Sequence, residues 1–271
     1  MPMESVDEME VPLRDFPEPR IFLRQALAIT RANLRARYRR TAVGFLWVVM
    51  NPLILFGTQL LIYKQFFAIN ITNYPTYLMS GLLPWILIQQ SLEMCTPILV
   101  FSGGLLRGLA VNPVVYLLAQ ILDNLTTFSA VFAFLLLPNI ALGNISAISL
   151  LLLPLPIVIL VVALLGMSWL LSMLNVYYRD TRFIVSFGLS AGYLVTPIFY
   201  SPELVTPALR PLFDINPLYR LIHPFQIALQ EHRSLTEFAQ SCSIALALAT
   251  AALTGAWFFW KRNRNTLYAH I

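Results

Sequence analysis

Long stretches of the chain contain only uncharged, mostly apolar residues, and short charged segments separate them. Asp, Glu, Lys and Arg are absent from 41–63, 65–92, 124–178, 183–202 and 238–260. A helix that crosses a bilayer needs about 20 consecutive, mostly apolar residues, and most of these stretches are at least that long. The third is long enough for two crossings, with a turn predicted at 138–144, where the sequence is PNIALGN. The pattern predicts a polytopic helical membrane protein.

We predict an all-α fold with six membrane-spanning helices. They cover about 43–65, 77–101, 114–137, 147–173, 183–200 and 238–260. The second span has to accommodate Glu93 and the third Asp123. Ionisable side chains are rare inside membranes because burying their charge is costly. We therefore expect these two intramembrane carboxylates to be paired or to face an interface, rather than to touch a substrate.

The positive charges predict the orientation of the spans. The chain is 58% hydrophobic and only 11% charged, whereas soluble domains average about 25% charged residues. With a cytoplasmic N-terminus, 14 of the 18 Lys and Arg residues lie on the cytoplasmic side. Helical membrane proteins carry their excess of Lys and Arg on that side. We therefore expect both termini in the cytoplasm.

An amphipathic helix is predicted at 19–40, with Pro19 at a suitable first position. At 100° per residue, four arginines fall within an arc of about 60°, and these are Arg20, Arg24, Arg31 and Arg35. Beside them runs an apolar stripe of Leu23, Leu27, Leu34 and Tyr38. Such a helix lies in the headgroup region of a leaflet. Either this helix is a membrane anchor alone, or part of it also docks a soluble partner. The preceding residues 1–18 are predicted to be a disordered acidic tail.

A long, apolar connection precedes the last predicted span. Residues 201–237 contain five prolines, and a connection of this length is usually functional or disordered. Its hydrophobicity favours two short re-entrant helices on the external side, at about 203–209 and 217–231. On the opposite side, Asn112 and Pro113 are predicted to cap and start the third span.

The sequence contains no recognisable motif for nucleotide binding or catalysis. A Gly-x-x-x-x-Gly-Lys-Ser/Thr loop for ATP phosphates is absent. The three histidines and two cysteines have no metal-ligand spacing, and the two intramembrane carboxylates do not form the cluster expected of a membrane enzyme. We therefore expect neither a cofactor or metal site nor catalytic residues in this chain.

Five stretches occur in a fixed order: RYRRTAVGFLWVVMNPL, GLLPWILIQQSL, NPVVYLLAQILDNL, LNVYYRDTRFIV, and TPIFYSPELV followed by LFDINPLYRLIHPFQIAL. Together they resemble the permease subunits of ABC type-2 exporters for bacterial surface polysaccharides, namely O-antigen, capsule and teichoic acid. The similarity covers nearly all of the chain after residue 20. It implies an interfacial helix at 19–40, six spans and two external gate helices within 201–235.

The resemblance also implies partners and a location in the bacterial inner membrane. Two copies of the chain would pair with two copies of a separate ATPase subunit, which binds the ATP and Mg²⁺. The 102–115 and 174–183 loops and the interfacial helix would couple to it through Arg20, Arg24, Arg107, Asn112, Arg179, Asp180 and Arg182. The first of these loops is often Lys-rich in the family, whereas here it offers only Arg107. Membrane lipids and a lipid-linked polysaccharide are the other expected partners, and no nucleic acid is expected.

A channel for a sliding polysaccharide needs aromatic faces that stack weakly on sugar rings. The predicted candidates are Phe66, Phe67, Tyr74, Tyr77, Trp85, Tyr193, Phe199 and Tyr200. The same residues equally suit the aromatic belt of a membrane interface. Polar residues within the spans, such as Gln59, Gln89 and Asn124, suit either the channel or interhelical hydrogen bonds. The headgroup of a lipid carrier is expected to enter near Arg31, Arg35, Arg37, Arg39 and Arg40.

Three alternatives remain open from the sequence. The same permease class exports drugs and lipids, which a narrow cavity without aromatic lining would favour. A membrane glycosyl or acyl transferase would need clustered ionisable residues at one membrane depth. A proton-driven carrier would need midplane ionisable residues and internal repeats.

Overall fold

The computed structural model describes residues 18–38, 44–66, 71, 73–101, 112–202, 205–230 and 234–270. Within these residues the regular structure is helical and contains no strand, which confirms the all-α prediction. Several predicted features lie outside the described residues: the tail through residue 17, Arg39, Arg40, Phe67 and Arg107. The side chains of Arg37 and Phe66 also lie outside the described part of the structure.

We number the α-helices of the described residues in chain order. They are α1 (Pro19–Tyr38), α2 (Gly44–Leu61, followed by a π turn at Ile62–Phe66), α3 (Tyr74–Cys95), α4 (Ile98–Phe101), α5 (Pro113–Ala141), α6 (Ala147–Leu152), α7 (Pro154–Tyr177), α8 (Thr181–Val195), α9 (Arg210–Ile215), α10 (Pro217–Leu229) and α11 (Leu235–His270).

Three helical segments of the described residues are long and apolar enough to cross a membrane. They are Pro113–Ala141, Ala147–Tyr177 and Leu235–Arg264, and they correspond to the third, fourth and sixth predicted spans. The chain is therefore a multi-pass membrane protein, and the count of six spans stays a prediction. The predicted start of the third span is confirmed, because Asn112 Oδ1 accepts a hydrogen bond from Val114 N at 2.9 Å and Pro113 follows the cap.

Helix α8 ends earlier than predicted. The fifth span was expected to reach residue 200, but the helix stops at Val195 and residues 196–200 are not helical. Pro197 has no N–H to donate, and a proline disfavours the helical conformation of the residue before it. The apolar character continues past the end of the helix, which is why the pattern alone placed the boundary too late.

The connection before α11 contains helices, but the first is shifted. A 3₁₀ turn at Pro207–Leu209 leads into α9, whereas a helix was expected at 203–209. Pro207 and Pro211 each stand at the start of one of these elements, where the missing N–H costs nothing. Helix α10 agrees with the expected 217–231, and Asn216 Oδ1 caps it by accepting from Leu218 N at 3.0 Å.

Helix α3 lies at the centre of the described bundle and is buried on nearly all sides. Behind it, α7 and α11 approach so closely that a Cβ added to Gly166 would lie 2.5 Å from Leu253 N. Small residues allow such close packing between membrane helices, and Ala245, Ala249 and Ala256 of α11 are fully buried.

Helix α11 continues beyond its predicted span, because the expected tail at 261–271 is helical through His270. Near this end, Tyr177 Oη and Thr266 Oγ1 are 2.8 Å apart, so a hydrogen bond joins the ends of α7 and α11. At the other end of α11, Ser241 Oγ lies 3.1 Å from His223 Nδ1 of α10. The helix thus contacts a different partner near each end.

Candidate functional site

The non-helical segment 196–201 is held against α3 by two tyrosine hydroxyls. Tyr77 Oη donates to Tyr200 O at 2.6 Å, and Tyr74 Oη donates to Phe199 O at 3.0 Å. A backbone oxygen away from water needs a donor, and irregular backbone at membrane depth is stable only where the protein supplies such partners. These side chains therefore replace the backbone hydrogen bonds that a continuing helix would have made.

Helix α10 supplies a further donor to the same segment. Gln226 Nε2 donates to Pro197 O at 3.0 Å, and Gln226 is buried. On the α3 side, a Cβ at Gly81 would lie 3.1 Å from Ile198 O and 3.2 Å from Gln226 Nε2. The absence of a side chain at Gly81 lets α3, the segment and α10 meet at one point.

Aromatic rings surround Phe199 at the centre of the segment. Tyr63 stacks on Phe199 with centroids 4.7 Å apart and planes 3° apart, and Tyr193 meets it edge-on at 4.8 Å. Trp85 lies 5.9 Å from Tyr193, and Gln59 Nε2 donates to Tyr193 Oη at 3.1 Å. Residues from α2, α3 and α8 thus converge on one aromatic cluster.

The structure brings six of the predicted channel aromatics into this region. Tyr74, Tyr77, Trp85 and Phe199 are buried within the chain, whereas Tyr193 and Tyr200 are partly exposed. Their function as a channel lining stays a prediction. Tyr63 was missed by the sequence reasoning. It is the last residue of the uncharged run 41–63 that also contains Gln59, and an aromatic residue near the end of a predicted span could have been chosen as a candidate.

A crevice opens beside the segment, and we call it the Tyr219 crevice. Its volume is about 180 Å³, and its lining includes Tyr77, Ser201, Tyr219, His223, Gln226 and Gln230. The rings of Tyr219 and His223 are 5.1 Å apart. An adjoining crevice of about 220 Å³ shares His223 and reaches Arg220, Glu237 and Gln240. Aromatic faces, carboxamides and hydroxyls in one concave surface match the C–H faces and hydroxyls of a sugar.

Polar side chains inside the bundle form hydrogen bonds with one another. Asn124 Nδ2 donates to Ser91 Oγ at 3.2 Å and so joins α5 to α3. Gln89 Nε2 donates to Glu93 Oε1 at 3.2 Å along α3, so this predicted intramembrane carboxylate has a partner on its own helix. Asp123 is fully buried on α5.

Helix α1 presents three different faces. One face is docked on α5: Ala26 and Thr30 are buried, and Thr30 Oγ1 donates to Ala119 O at 3.1 Å. The second face keeps Leu23 49% and Leu27 39% exposed. The third carries the exposed predicted arginines, Arg20, Arg24, Arg31 and Arg35. Leu23 and Leu27 of the predicted apolar stripe are therefore exposed, whereas Leu34 is half-buried and the side chain of Tyr38 lies outside the described part of the structure. A neighbouring face, which the sequence reasoning missed, binds the bundle.

The predicted coupling residues after α7 lie on the surface. Arg179, Asp180 and Arg182 are exposed in and beside the turn that links α7 to α8. The guanidinium of Arg182 lies 4.5 Å from the ring centroid of Phe183, a cation–π contact. Asn112, by contrast, is half-buried, and its Oδ1 accepts the cap hydrogen bond of α5. The structure does not bring these residues into one cluster with the aromatic segment.

The three membrane-length helices and the absence of strands from the described residues define the class, a multi-pass helical membrane protein. The chain is 27% identical over 209 residues to the O-antigen export system permease protein RfbA of Myxococcus xanthus, covering 76% of this chain and 80% of that protein. It is 26% identical over 213 residues to two O-antigen export system permease proteins RfbA of Klebsiella pneumoniae, covering 72% of this chain and 76% of each relative. No family model matches the chain. These relatives confirm the resemblance to permease subunits of polysaccharide exporters.

Proposed function

We propose that this chain is the channel-forming membrane subunit of an ATP-driven exporter that moves a lipid-linked polysaccharide across the bacterial inner membrane. The observation that carries the proposal is the similarity to O-antigen export permeases, which extends over about three quarters of the chain. The aromatic cluster around Phe199 and the Tyr219 crevice support a glycan cargo, because aromatic faces bind sugar rings weakly enough to let a polymer slide. A narrow cavity without aromatic residues would have favoured a drug or lipid instead.

The proposed assembly contains two copies of this chain and two copies of an ATPase subunit. Six spans place both termini in the cytoplasm, in agreement with the distribution of Lys and Arg. Motion of the ATPase would reach the membrane part through α1 and the exposed turn at Arg179, Asp180 and Arg182. The hydrogen bond from Thr30 to Ala119 O supports such coupling, because it ties α1 directly to a membrane-length helix.

The segment 196–201 is the proposed gate, with α9 and α10 as the external gate helices. Side chains of α3 and α10 hold its carbonyls, and Asn216 Nδ2, at the start of α10, donates to Thr196 Oγ1 at 3.0 Å. Hydroxyl-rich cargo can exchange with such hydrogen bonds at little net cost, because a typical intramolecular bond contributes only about 0.5–1.5 kcal/mol. Movement of α10 would therefore release the segment and open the path beside Phe199.

The arginines of α1 are the proposed binding site for the headgroup of the lipid carrier. Arg31 and Arg35 are exposed on the same helix as the exposed Leu23 and Leu27. Guanidinium groups pair well with phosphate. Replacing both Arg31 and Arg35 with Glu is expected to reduce export while the protein still inserts into the membrane. Unchanged export would contradict a role of these arginines in headgroup binding.

Deletion of the gene in its native host tests the proposed function. We expect loss of the surface polysaccharide with accumulation of the lipid-linked polymer inside the cell, and the tagged protein should purify with a stoichiometric ATP-binding subunit. If the lipid-linked polymer is absent altogether, a biosynthetic transferase is the better explanation. If surface polysaccharide is unchanged, the cargo is a drug or lipid. A host strain complemented with the wild-type gene is the control.

A further inference from the structure

An apolar groove lies where the three membrane-length helices meet α1. Its volume is about 360 Å³, within the range of small-molecule sites. The walls come from four helices and include Phe22, Val114, Trp169, Leu253, Thr254 and Trp257. The hydroxyl of Thr254 is bonded inside its own helix, to Thr250 O at 2.8 Å. The groove therefore offers a ligand only apolar contacts.

The groove lies close to one end of the spans. Val114 stands in the first turn of α5. On α11, Leu253 precedes Lys261 by eight residues, which is about 12 Å along a helix axis. Amphipathic helices such as α1 sink about 5–10 Å into the boundary between headgroups and acyl chains. Phe22 of α1 and the groove beneath it are thus at the depth where an acyl chain begins.

Two cationic side chains, Lys261 and Arg264, lie near the groove. Lys261 Nζ lies 5.1 Å from the ring centroid of Trp257, which lines the groove. One turn further, the guanidinium of Arg264 lies 5.9 Å from the ring of Trp260, and that ring lies 6.1 Å from Trp169. Lys261 therefore contacts one wall of the groove, and Arg264 is separated from another wall, Trp169, by the ring of Trp260. An apolar groove with cationic side chains beside it is complementary to an anionic amphiphile, such as a phospholipid with a negative headgroup.

We propose that this groove binds one anionic phospholipid, with an acyl chain between α1, α5, α7 and α11 and the phosphate at Lys261 and Arg264. The proposal does not depend on the cargo or on the proposed export function. Because Phe22 forms one wall, a bound acyl chain contacts α1 and the bundle at once. The lipid therefore adds contact area to the docking of α1, next to the hydrogen bond from Thr30 to Ala119 O.

Native mass spectrometry of the detergent-purified full-length chain tests the site, with dioleoyl phosphatidylglycerol and dioleoyl phosphatidylcholine as probes. We expect one phosphatidylglycerol to bind more tightly than phosphatidylcholine. Each Lys or Arg near a membrane surface favours anionic lipid by an amount equal to about fivefold in affinity. Lys261→Gln should therefore lower phosphatidylglycerol affinity about fivefold and leave phosphatidylcholine unchanged.

A matched pair of substitutions on α11 tests the groove itself. Thr254→Phe fills it and should abolish binding of the single lipid, whereas Thr250→Phe, one turn away, exposed and outside the lining, should preserve it. Equal binding of the two lipids to the wild type, or equal binding to both variants, would overturn the proposal. Loss of a dimer in Thr254→Phe, without bound lipid in the wild type, would assign the groove to contact between copies.

A measurement on the wild type covers the case in which Thr254→Phe does not fold. Trp169 and Trp257 line the groove, so phosphatidylglycerol brominated on its acyl chains should quench tryptophan fluorescence at lower lipid concentration than brominated phosphatidylcholine. Lys261→Gln should narrow this difference about fivefold, because Arg264 remains beside the groove. Identical quenching curves for the two brominated lipids in the wild type would contradict an anionic site.

Discussion

Two close contacts in this protein are built differently. Between α7 and α11, the backbone of Leu253 fills the space beside Gly166, and the added Cβ would lie 2.5 Å away. Between α3 and the segment 196–201, hydroxyl and amide groups of Tyr74, Tyr77 and Gln226 reach across to backbone oxygens. The first contact is backbone against backbone beside Gly166, whereas the second combines the space beside Gly81 with hydrogen bonds from particular side-chain atoms.

The difference indicates which part of the protein can change its conformation. Close packing of backbone against backbone requires one fixed geometry, and lipid tails cannot reproduce it beside Gly166, so separation of α7 from α11 loses dispersion energy that lipid only partly replaces. A side-chain hydrogen bond to a carbonyl can be exchanged for one to water or to a sugar hydroxyl at small net cost. We infer that α7 and α11 move as one unit, while the segment beside α3 is the part that opens.

The largest effect is expected from Gly166→Ala. Its Cβ would meet backbone atoms of α11, which cannot move aside, so we expect a loss of about 3 kcal/mol or more and little folded protein in the membrane. Gly255→Ala is the control, because nothing lies within 4 Å of that position and replacing a helical glycine usually stabilises. Opposite signs for the two changes, measured by thermal unfolding in detergent, support the comparison, and equal effects would contradict it.

The next effect is expected from Tyr77→Phe. The change removes the donor to Tyr200 O and leaves a partly buried carbonyl without this partner, which costs about 1–2 kcal/mol. Hydrogen exchange should become faster at the amides of Thr196 and Ile198 and stay unchanged in α7. Tyr178→Phe is the control because Tyr178 is exposed. An equal change in hydrogen exchange in segment 196–201 and in α7 would contradict the view that the segment opens independently of α7.

A smaller effect is expected from Gly81→Ala. The new Cβ would lie 3.1 Å from Ile198 O and 3.2 Å from Gln226 Nε2. At these distances the backbone of Ile198 and the amide of Gln226 need to shift by only a few tenths of an ångström, whereas the overlap at Gly166 is deeper. We therefore expect a loss of about 1 kcal/mol, well below that of Gly166→Ala. Gly188→Ala, with nothing within 4 Å, is the control. A loss as large as that at Gly166 would contradict the view that this contact is the more adaptable one.

The smallest effect is expected from Thr30→Val. It removes the hydroxyl that donates to Ala26 O within α1 at 2.9 Å and to Ala119 O of α5 at 3.1 Å, while keeping the volume of the side chain. The loss should be about 1 kcal/mol. The global melting temperature should change little, while protease cleavage within α1 becomes faster. Thr250→Val serves as the control, because the Thr250 hydroxyl bonds within its own helix. Unchanged cleavage would mean that α1 docks by apolar contact alone.

The sequence predicted several apolar helices and the Asn112 cap well because those features are local. Asn112 with Pro113 and Asn216 with Pro217 mark helix starts within a few residues. A proline inside an apolar run did not show where a helix ends. Pro52 and Pro84 lie inside α2 and α3, whereas α8 ends just before Pro197. The structure of 196–201 depends on Tyr74, Tyr77 and Gln226, which lie far away in the sequence.

The aromatic residues of the candidate site were predicted as a class but not in their individual positions. Trp85 and Tyr193 were expected near one membrane surface, and the structure places their rings in contact. Which tyrosines donate to carbonyls could not be deduced, because it depends on how α3 packs against the end of α8. The docked face of α1 was missed for a similar reason: Ala26 and Thr30 are unremarkable until α5 is placed beside them.

Helix α11 has 36 residues, so it is about 54 Å long, against about 30 Å for the hydrocarbon core of a bilayer. Ser241 and Thr266, which contact His223 and Tyr177, are 25 residues apart, and at 100° per residue they lie within about 20° of each other around the helix axis. A rotation of this rod about its axis therefore breaks both contacts together. A slide along the axis also displaces both, so only a tilt can release one of them while the other remains.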